Sequence, residues 1–172
     1  RCFASLVAAV KPQPSRSYKG VKDAAAIMEE LAQEMGLVFE NDGVTVKLTD
    51  QHLNGTTLDQ VKQCAQAANI NYSDEFGKLV IWPKNGHRSQ SPIITLSAQT
   101  GMVGYPAISA QGLSVVTLFN PNLALGRRIE IKSDITVANG AWVVAGVVHQ
   151  LESEIPGGAW FSLVQCRRPA GA

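Results

Sequence analysis

The sequence lacks the features that would point to a membrane, a thiolate metal site or nucleic acid. It contains no run of about eighteen apolar residues, so no membrane-spanning helix is predicted. Its three cysteines, at positions 2, 64 and 166, form no CxxC pair, which argues against zinc held by thiolates. The formal net charge is +1, so the overall charge predicts no binding to nucleic acid or to an anionic membrane.

Catalytic motifs are also missing. None of the three histidines, His52, His87 and His149, has a second ligand two to four residues away, and no GxSxG, Walker or Rossmann glycine pattern occurs. Glu152 and Glu154 share a strand face but adjoin a turn, so we interpret them as solvent-exposed rather than as a catalytic pair. The sequence therefore predicts a protein that is not an enzyme and that holds no metal or cofactor.

A third absence is informative. Between Arg88 and Arg127 there is no Asp, Glu, Lys or Arg. One explanation is the wall of a β-barrel with neutral turns. The other is a surface covered by another subunit, because the cores of interfaces are depleted in charged residues. The residues alone leave both explanations open.

The first half of the chain repeats one pattern. Helical periodicity in "GVKDAAAIMEELAQEMG" ends at Gly36, and a second amphipathic helix in "TTLDQVKQCAQAAN" begins with a Thr57/Gln60 capping-box pattern. Each helix precedes a strand, a turn and a strand, and the first of these turns is placed at Asp42-Gly43. We predict a βαββαββ domain over residues 17–84, with both helices on one face of a small sheet.

The second half has a different pattern. The segment "PKNGHRSQSP" predicts a linker over residues 85–92, and short strands separated by Gly, Pro and Asn predict an antiparallel β-barrel over residues 93–168. Its longest element, residues 141–154, would span roughly 40 Å at ~3.3 Å per residue, more than a small closed barrel needs. Such a strand has to be sheltered or paired with a neighbour. Residues 1–16 are interpreted as the remnant of a preceding domain or a linker, and residues 169–172 as a tail.

The order of these pieces resembles the baseplate hub proteins of contractile-tailed bacteriophages, the family of the Mu-like hubs and the late-control protein D group. The segments that carry the resemblance are "YKGVKDAAAIMEELAQEMGLVFE", "NGTTLDQVKQCAQAANINY", "GKLVIWP", "GLSVVTLFNPNLALGRRIEIKS" and "GAWVVAGVVHQLES". The resemblance implies an α+β fold, in which an α/β insert domain is followed by an antiparallel β-barrel related to the phage tail-tube fold.

The resemblance also implies partners and a location. Hubs of this family form homotrimers that join the tail tube to the central spike, so the expected partners are further copies of the chain, the tube protein, the spike protein and other baseplate proteins. The expected location is the baseplate of the virion tail, assembled in the cytoplasm of the bacterial host. Under this interpretation the long hairpin is part of a ring wall. The candidate interface residues are Leu118, Phe119, Arg127, Arg128, Trp142 and His149.

Two alternatives remain at this stage. The strand–helix–strand–strand repeat is similar to the periplasmic N-domains of secretins, which would make the chain a cell-envelope binding module. Split barrels also bind flavin mononucleotide, and in that case Arg127 and Arg128 would contact the phosphate.

Overall fold

The structure is a computed structural model that describes residues 10–169. The chain divides into two units between Lys84 and Asn85. Residues 1–9 and 170–172, which include most of the predicted N-terminal remnant and tail, lie outside the described residues.

Unit 1 contains five strands and two helices in the described residues. In chain order they are β1 (Arg16–Asp23), α1 (Ala24–Glu34), β2 (Val38–Asn41), β3 (Lys47–Leu53), α2 (Thr57–Ala67), β4 (Ile70–Glu75) and β5 (Lys78–Pro83). This is the predicted βαββαββ order.

The core of unit 1 lies between the two helices and the strands. Apolar side chains recur on one face of α1, and Ile27, Met28 and Leu31 are fully buried. Cys64 of α2 belongs to the same cluster, and its burial raises the pKa of the thiol to about 12. Gly36 ends α1 with a positive φ of 69°, as predicted.

The start of α2 differs from the prediction by one residue. The N-cap is Thr56 and the reciprocal partner is Asp59, so the predicted Thr57/Gln60 capping box is wrong. The Thr56 hydroxyl donates to the Asp59 carboxylate over 2.7 Å, and the Asp59 amide donates back to the Thr56 oxygen over 3.1 Å. The bond from the Thr56 hydroxyl lowers the pKa of Asp59. Gln60 is instead fully buried, where its side-chain amide donates to backbone carbonyls.

The prediction of one sheet with an Asp42-Gly43 hairpin is wrong. Strand β3 pairs with β1 in a two-stranded sheet, whereas β2 pairs in parallel with β5 in a three-stranded sheet of order β2-β5-β4. The reason is the side chain of Asn41, whose amide accepts from the Val44 amide and donates to the Val44 carbonyl. These bonds close a bend that carries the chain from one sheet to the other, where a hairpin would need backbone pairing.

Unit 2 consists of six strands and two short 3₁₀ segments in the described residues. The strands are β6 (Ile94–Leu96), β7 (Met102–Ser109), β8 (Gly112–Leu118), β9 (Arg128–Ile131), β10 (Gly140–Leu151) and β11 (Trp160–Arg167). They form one sheet of order β6-β9-β10-β11-β8-β7.

This sheet curls around a single core. Alternate residues of the central strands point into it, among them Leu113, Val115, Val144, Val164 and Cys166. All pairings are antiparallel except β6–β9, which is parallel. Within residues 10–169 the sheet begins at β6 and ends at β7, so it is an open half-barrel. The predicted α+β fold class, with an α/β part followed by a barrel-like sheet, is confirmed.

The segment predicted as a linker is partly structured. Arg88 is buried, and its amide donates to the Gly126 carbonyl over 2.7 Å beside a bridge to Arg127. The Arg167 guanidinium donates to the carbonyls of Asn85 and Gly86. Residues 85–88 are therefore attached to the sheet of unit 2.

Candidate subunit interface

The side of the unit 2 sheet that points away from its core carries a row of exposed aliphatic side chains. Directly opposed residues on neighbouring strands share a face of a sheet. Four such residues form the row: Val103 in β7, Val116 in β8, Leu163 in β11 and Val148 in β10. Their exposed fractions lie between 36% and 63%, so each leaves apolar surface in water.

Neutral rows flank this aliphatic row. On one side Leu118, Phe161 and Gln150 oppose one another, and on the other side Ser114, Gln165 and Gly146 do so, with Ala107 opposite Ser114. We call these three rows the outer face. It is defined by Val103, Ala107, Ser114, Val116, Leu118, Gly146, Val148, Gln150, Phe161, Leu163 and Gln165. None of these residues is Asp, Glu, Lys, Arg or His.

The outer face therefore extends beyond the charge-free stretch found in the sequence. That stretch, residues 89–126, supplies β7 and β8, whereas β10 and β11 come from a part of the chain that does carry charges. Strand β10 contains no Asp, Glu, Lys or Arg, and the one charged residue of β11, Arg167, lies in the row next to the outer face, opposite Val143. Folding thus joins a neutral segment to the neutral parts of two later strands.

The long hairpin leaves one strand edge open. Strand β10 has 12 residues, but β9 pairs only with residues 140–143, and a bulge follows Val144. Beyond the bulge, β10 has β11 on one side and no strand on the other within the described residues. The Glu152 amide donates to the Ala159 carbonyl, and in an antiparallel pair every second residue bonds to the neighbouring strand. The N–H and C=O groups of Val147, His149 and Leu151 therefore point away from β11. We call residues 147–151 of this side the open edge.

The core-facing side of the hairpin ends in an aromatic cluster. His149 Nδ1 lies 2.8 Å from the hydroxyl of Ser162, its directly paired residue, which is fully buried. The Phe119 ring meets the His149 ring edge-on at 5.1 Å and the Trp160 ring at 6.0 Å. Trp160 and Leu151 remain about half exposed. The hairpin end therefore exposes apolar surface on both sides of the sheet.

The six predicted interface residues are distributed over several places. Leu118 lies on the outer face and is 54% exposed, while Phe119 and His149 belong to the aromatic cluster. Trp142 is only 3% exposed, packs into the core of unit 2 and donates its indole N–H to the Ala138 carbonyl over 2.8 Å. Its side chain stabilises the sheet and has little surface left for a partner.

The two predicted arginines lie at the other end of β10. Arg128 opposes Val143, which in turn opposes Arg167, so these three residues form one row. Arg127 lies next to this row, and its carbonyl accepts from the Val144 amide. Both side chains are half-buried, and the structure does not bring them together with Leu118, Phe119 and His149.

The described residues offer no arrangement for metal chemistry. Within residues 10–169 no three His, Cys, Asp or Glu side chains are grouped so that they could hold a metal ion. Burial raises the pKa of Cys166 to about 12, so its thiol is protonated at neutral pH. None of the described helices is long and apolar enough to cross a membrane.

Comparison with known families decides between the alternatives. The sequence model of the family described as "Baseplate hub gp41" matches residues 7–156, most of the chain. The chain belongs to the baseplate hub gp41 family. The hub chain is therefore a structural component of a bacteriophage tail baseplate, and its location is the virion tail. No curated protein sequence matches it significantly.

Solved structures show the same fold. The hub chain is similar to the 43 kDa tail protein of prophage MuSo2 from Shewanella oneidensis, with a TM-score of 0.55 and 10% identity. That match covers 89% of the hub chain and 67% of the prophage protein. A tail protein from Neisseria meningitidis MC58 gives a TM-score of 0.62 and 10% identity, covering 90% of the hub chain and 69% of that protein.

Sequence reasoning missed most of the outer face of the hub chain. Val116, Val148, Phe161 and Leu163 were not selected, because strands that are apolar on both sides show no contrast between a core side and a solvent side. The signal available in the sequence was that these strands do not alternate between apolar and charged residues. In "WFSLVQC" every residue but one Ser and one Gln is apolar, although a half-exposed strand would alternate with charged residues.

Proposed function

We propose that the hub chain acts as a wall segment of a threefold ring that joins the tail tube to the central spike. The observation that carries this proposal is the neutral outer face, which places exposed aliphatic side chains on four adjacent strands. Large exposed apolar patches on soluble proteins are typical of interaction sites. In the ring, this face is covered by a neighbouring hub chain or by a tube or spike protein.

The size of the outer face indicates that it works together with the open edge. Four strands at ~4.8 Å spacing and three rows about 7 Å apart cover roughly 400 Å². A stable contact buries about 800 Å² on each partner. The open edge supplies the missing contact, because Val147, His149 and Leu151 present backbone donors and acceptors that an adjacent strand can pair with.

In this proposal the hub chain catalyses no reaction and acts only by binding other proteins. Its assembly partners are further hub chains, the tube protein, the spike protein and other baseplate proteins. Assembly takes place in the host cytoplasm before the tail is complete.

The solution mass of the complete hub protein tests the ring. We expect sedimentation equilibrium to give three times the mass of one chain at micromolar concentration. In a closed ring of three copies, each copy contacts both of the others and its apolar surface is covered. A mass that stays at one chain over the whole concentration range would contradict the proposal.

A further inference from the structure

The turn between β4 and β5 has an unusual residue. It consists of Phe76 and Gly77, with φ values of 49° and 75°. Positive φ at both central residues defines a type I′ hairpin turn, in which Asn, Asp or Gly is preferred at the first position. Here a bulky aromatic residue occupies that position.

This position is unfavourable for Phe76. Apart from glycines, four described residues have positive φ: Asp50, Asn69, Phe76 and Glu154. Asp and Asn tolerate this conformation because their short polar side chains can bond locally, whereas a bulky residue is strained there. Local folding would be better served by asparagine at position 76.

Phe76 is unfavourable in a second, independent way. Its side chain is 78% exposed, the highest value among the exposed large apolar residues of the described chain. The phenyl ring points into solvent at the end of the hairpin, so its burial contributes almost nothing to the stability of the fold. Strained residues of this kind cluster at functional sites, because only function repays the cost.

A second apolar side chain lies beside it. The Val38 amide donates to the Gly77 carbonyl over 2.9 Å, which fixes Val38 next to the turn, and Val38 is 63% exposed. Next to Val38, Lys78 forms an ion pair with Glu40 at 3.0 Å. The end of this sheet thus presents a phenyl ring and an isopropyl group with charged side chains around them.

We propose that Phe76 is an anchor residue that inserts its ring into an apolar pocket on another protein of the phage tail. Two exposed side chains are too few for a flat interface, but a single aromatic ring in a fully desolvated pocket supplies a large share of a binding energy. Asp74 and Glu75 precede the ring and repel phosphate groups, which disfavours nucleic acid and anionic lipid as partners. The inference rests on membership of the baseplate hub family and not on the proposed ring.

The exchange Phe76→Asn separates folding from binding. Since asparagine suits the turn, we expect the melting temperature of the purified chain to stay equal or rise, and the trimer mass to be unchanged. A phage carrying the exchange should lose at least about tenfold in infectious titre, the loss expected for an aromatic anchor, whereas Phe76→Tyr, which keeps the ring, should not. A normal titre for Phe76→Asn, or a clear fall in its melting temperature, would overturn the proposal.

Photo-crosslinking identifies the partner. Benzoylphenylalanine at position 76 should give, in assembled tails, one specific crosslink to another tail protein. The control places the same group at Glu29, on the exposed side of α1, where no specific crosslink is expected. Absence of a crosslink from position 76, or a crosslink to DNA, would overturn the proposal. If the proposed threefold ring does not form, the mass of the complete hub protein in solution will show it, whereas these experiments test Phe76. The two proposals can therefore fail separately.

Discussion

Replacing Leu163 with glutamate is expected to block tail assembly while the free chain stays folded. Leu163 lies in the middle of the aliphatic row, directly opposite Val116 on one side and Val148 on the other. Its side chain is 43% exposed, so in the free chain a carboxylate at this position stays in contact with water. In the assembled ring the same carboxylate would be buried without a partner.

The expected effect is large because an unpaired buried charge costs several kcal/mol. A loss of about 3 kcal/mol per contact weakens association on the order of a hundredfold, and the loss recurs at each contact of the ring. Infectious titre and the number of complete tails in electron micrographs measure this effect. The exchange Leu118→Glu, in the neighbouring row, should act in the same direction.

A matched control is Val137→Glu. Val137 is a 64% exposed valine of unit 2 that lies outside the outer face, so the added carboxylate is the same but the location differs. We expect normal assembly for this variant. Normal tails from Leu163→Glu, or equal defects in the two variants, would show that the outer face is not a contact surface.

Replacing Gly112 with alanine is expected to destabilise unit 2 strongly. A Cβ atom at this position would lie 2.1 Å from the carbonyl oxygen of Cys166, on the backbone of the adjacent strand β11. Gly112 also has a φ of 138°, which side-chain-bearing residues rarely adopt. Strand β11 lies between β8 and β10 in the sheet, so it cannot move aside without breaking its other pairing.

The cost of this exchange combines overpacking and backbone strain, about 3 kcal/mol or more. For a unit of this size that corresponds to a fall in melting temperature of roughly 10 °C or more. Thermal unfolding followed by circular dichroism measures it. Gly140→Ala is the control, because its φ of 111° is also positive but no atom lies within 4 Å of the added Cβ. A melting temperature for Gly112→Ala as high as that of the control would contradict the packing described here.

Local signals allowed much of the fold to be predicted from the sequence. The apolar periodicity of the two helices, the positive-φ residues Gly36 and Asn69 that end them, and the order of the strands all depend on neighbours in the chain. The hairpin of β10 and β11 also followed from two apolar runs separated by a glycine turn.

Pairing between distant strands could not be predicted in the same way. Whether β2 pairs with β3 or with β5 depends on the side-chain bonds of Asn41, which closes a bend rather than a hairpin. The sequence contains the same Asp-Gly signal in either case. The bend could be recognised only once the core was known, since Val44 is buried next to it.

The solvent exposure of the tryptophans could not be predicted from the sequence either. Trp142 and Trp160 occupy comparable places at the starts of β10 and of its partner strand, yet one is buried and the other is half exposed. The difference arises because Trp142 lies over the centre of the core, where the 3₁₀ segment around Ala138 accepts its indole N–H. Trp160 lies at the far end of the hairpin, beyond the core.

The solvent accessibility of position 163 in assembled tails tests the central claim most directly. In a hub chain with Cys2→Ser, a cysteine at Leu163 would be the reactive thiol, because Cys64 and Cys166 are buried with pKa values raised to about 12. A cysteine at Gln66, on the exposed side of α2, provides the reference. We predict that a maleimide labels Leu163→Cys in the free chain but not in assembled tails, while it labels Gln66→Cys in the free chain. Equal labelling of position 163 in free chain and tails would contradict the account.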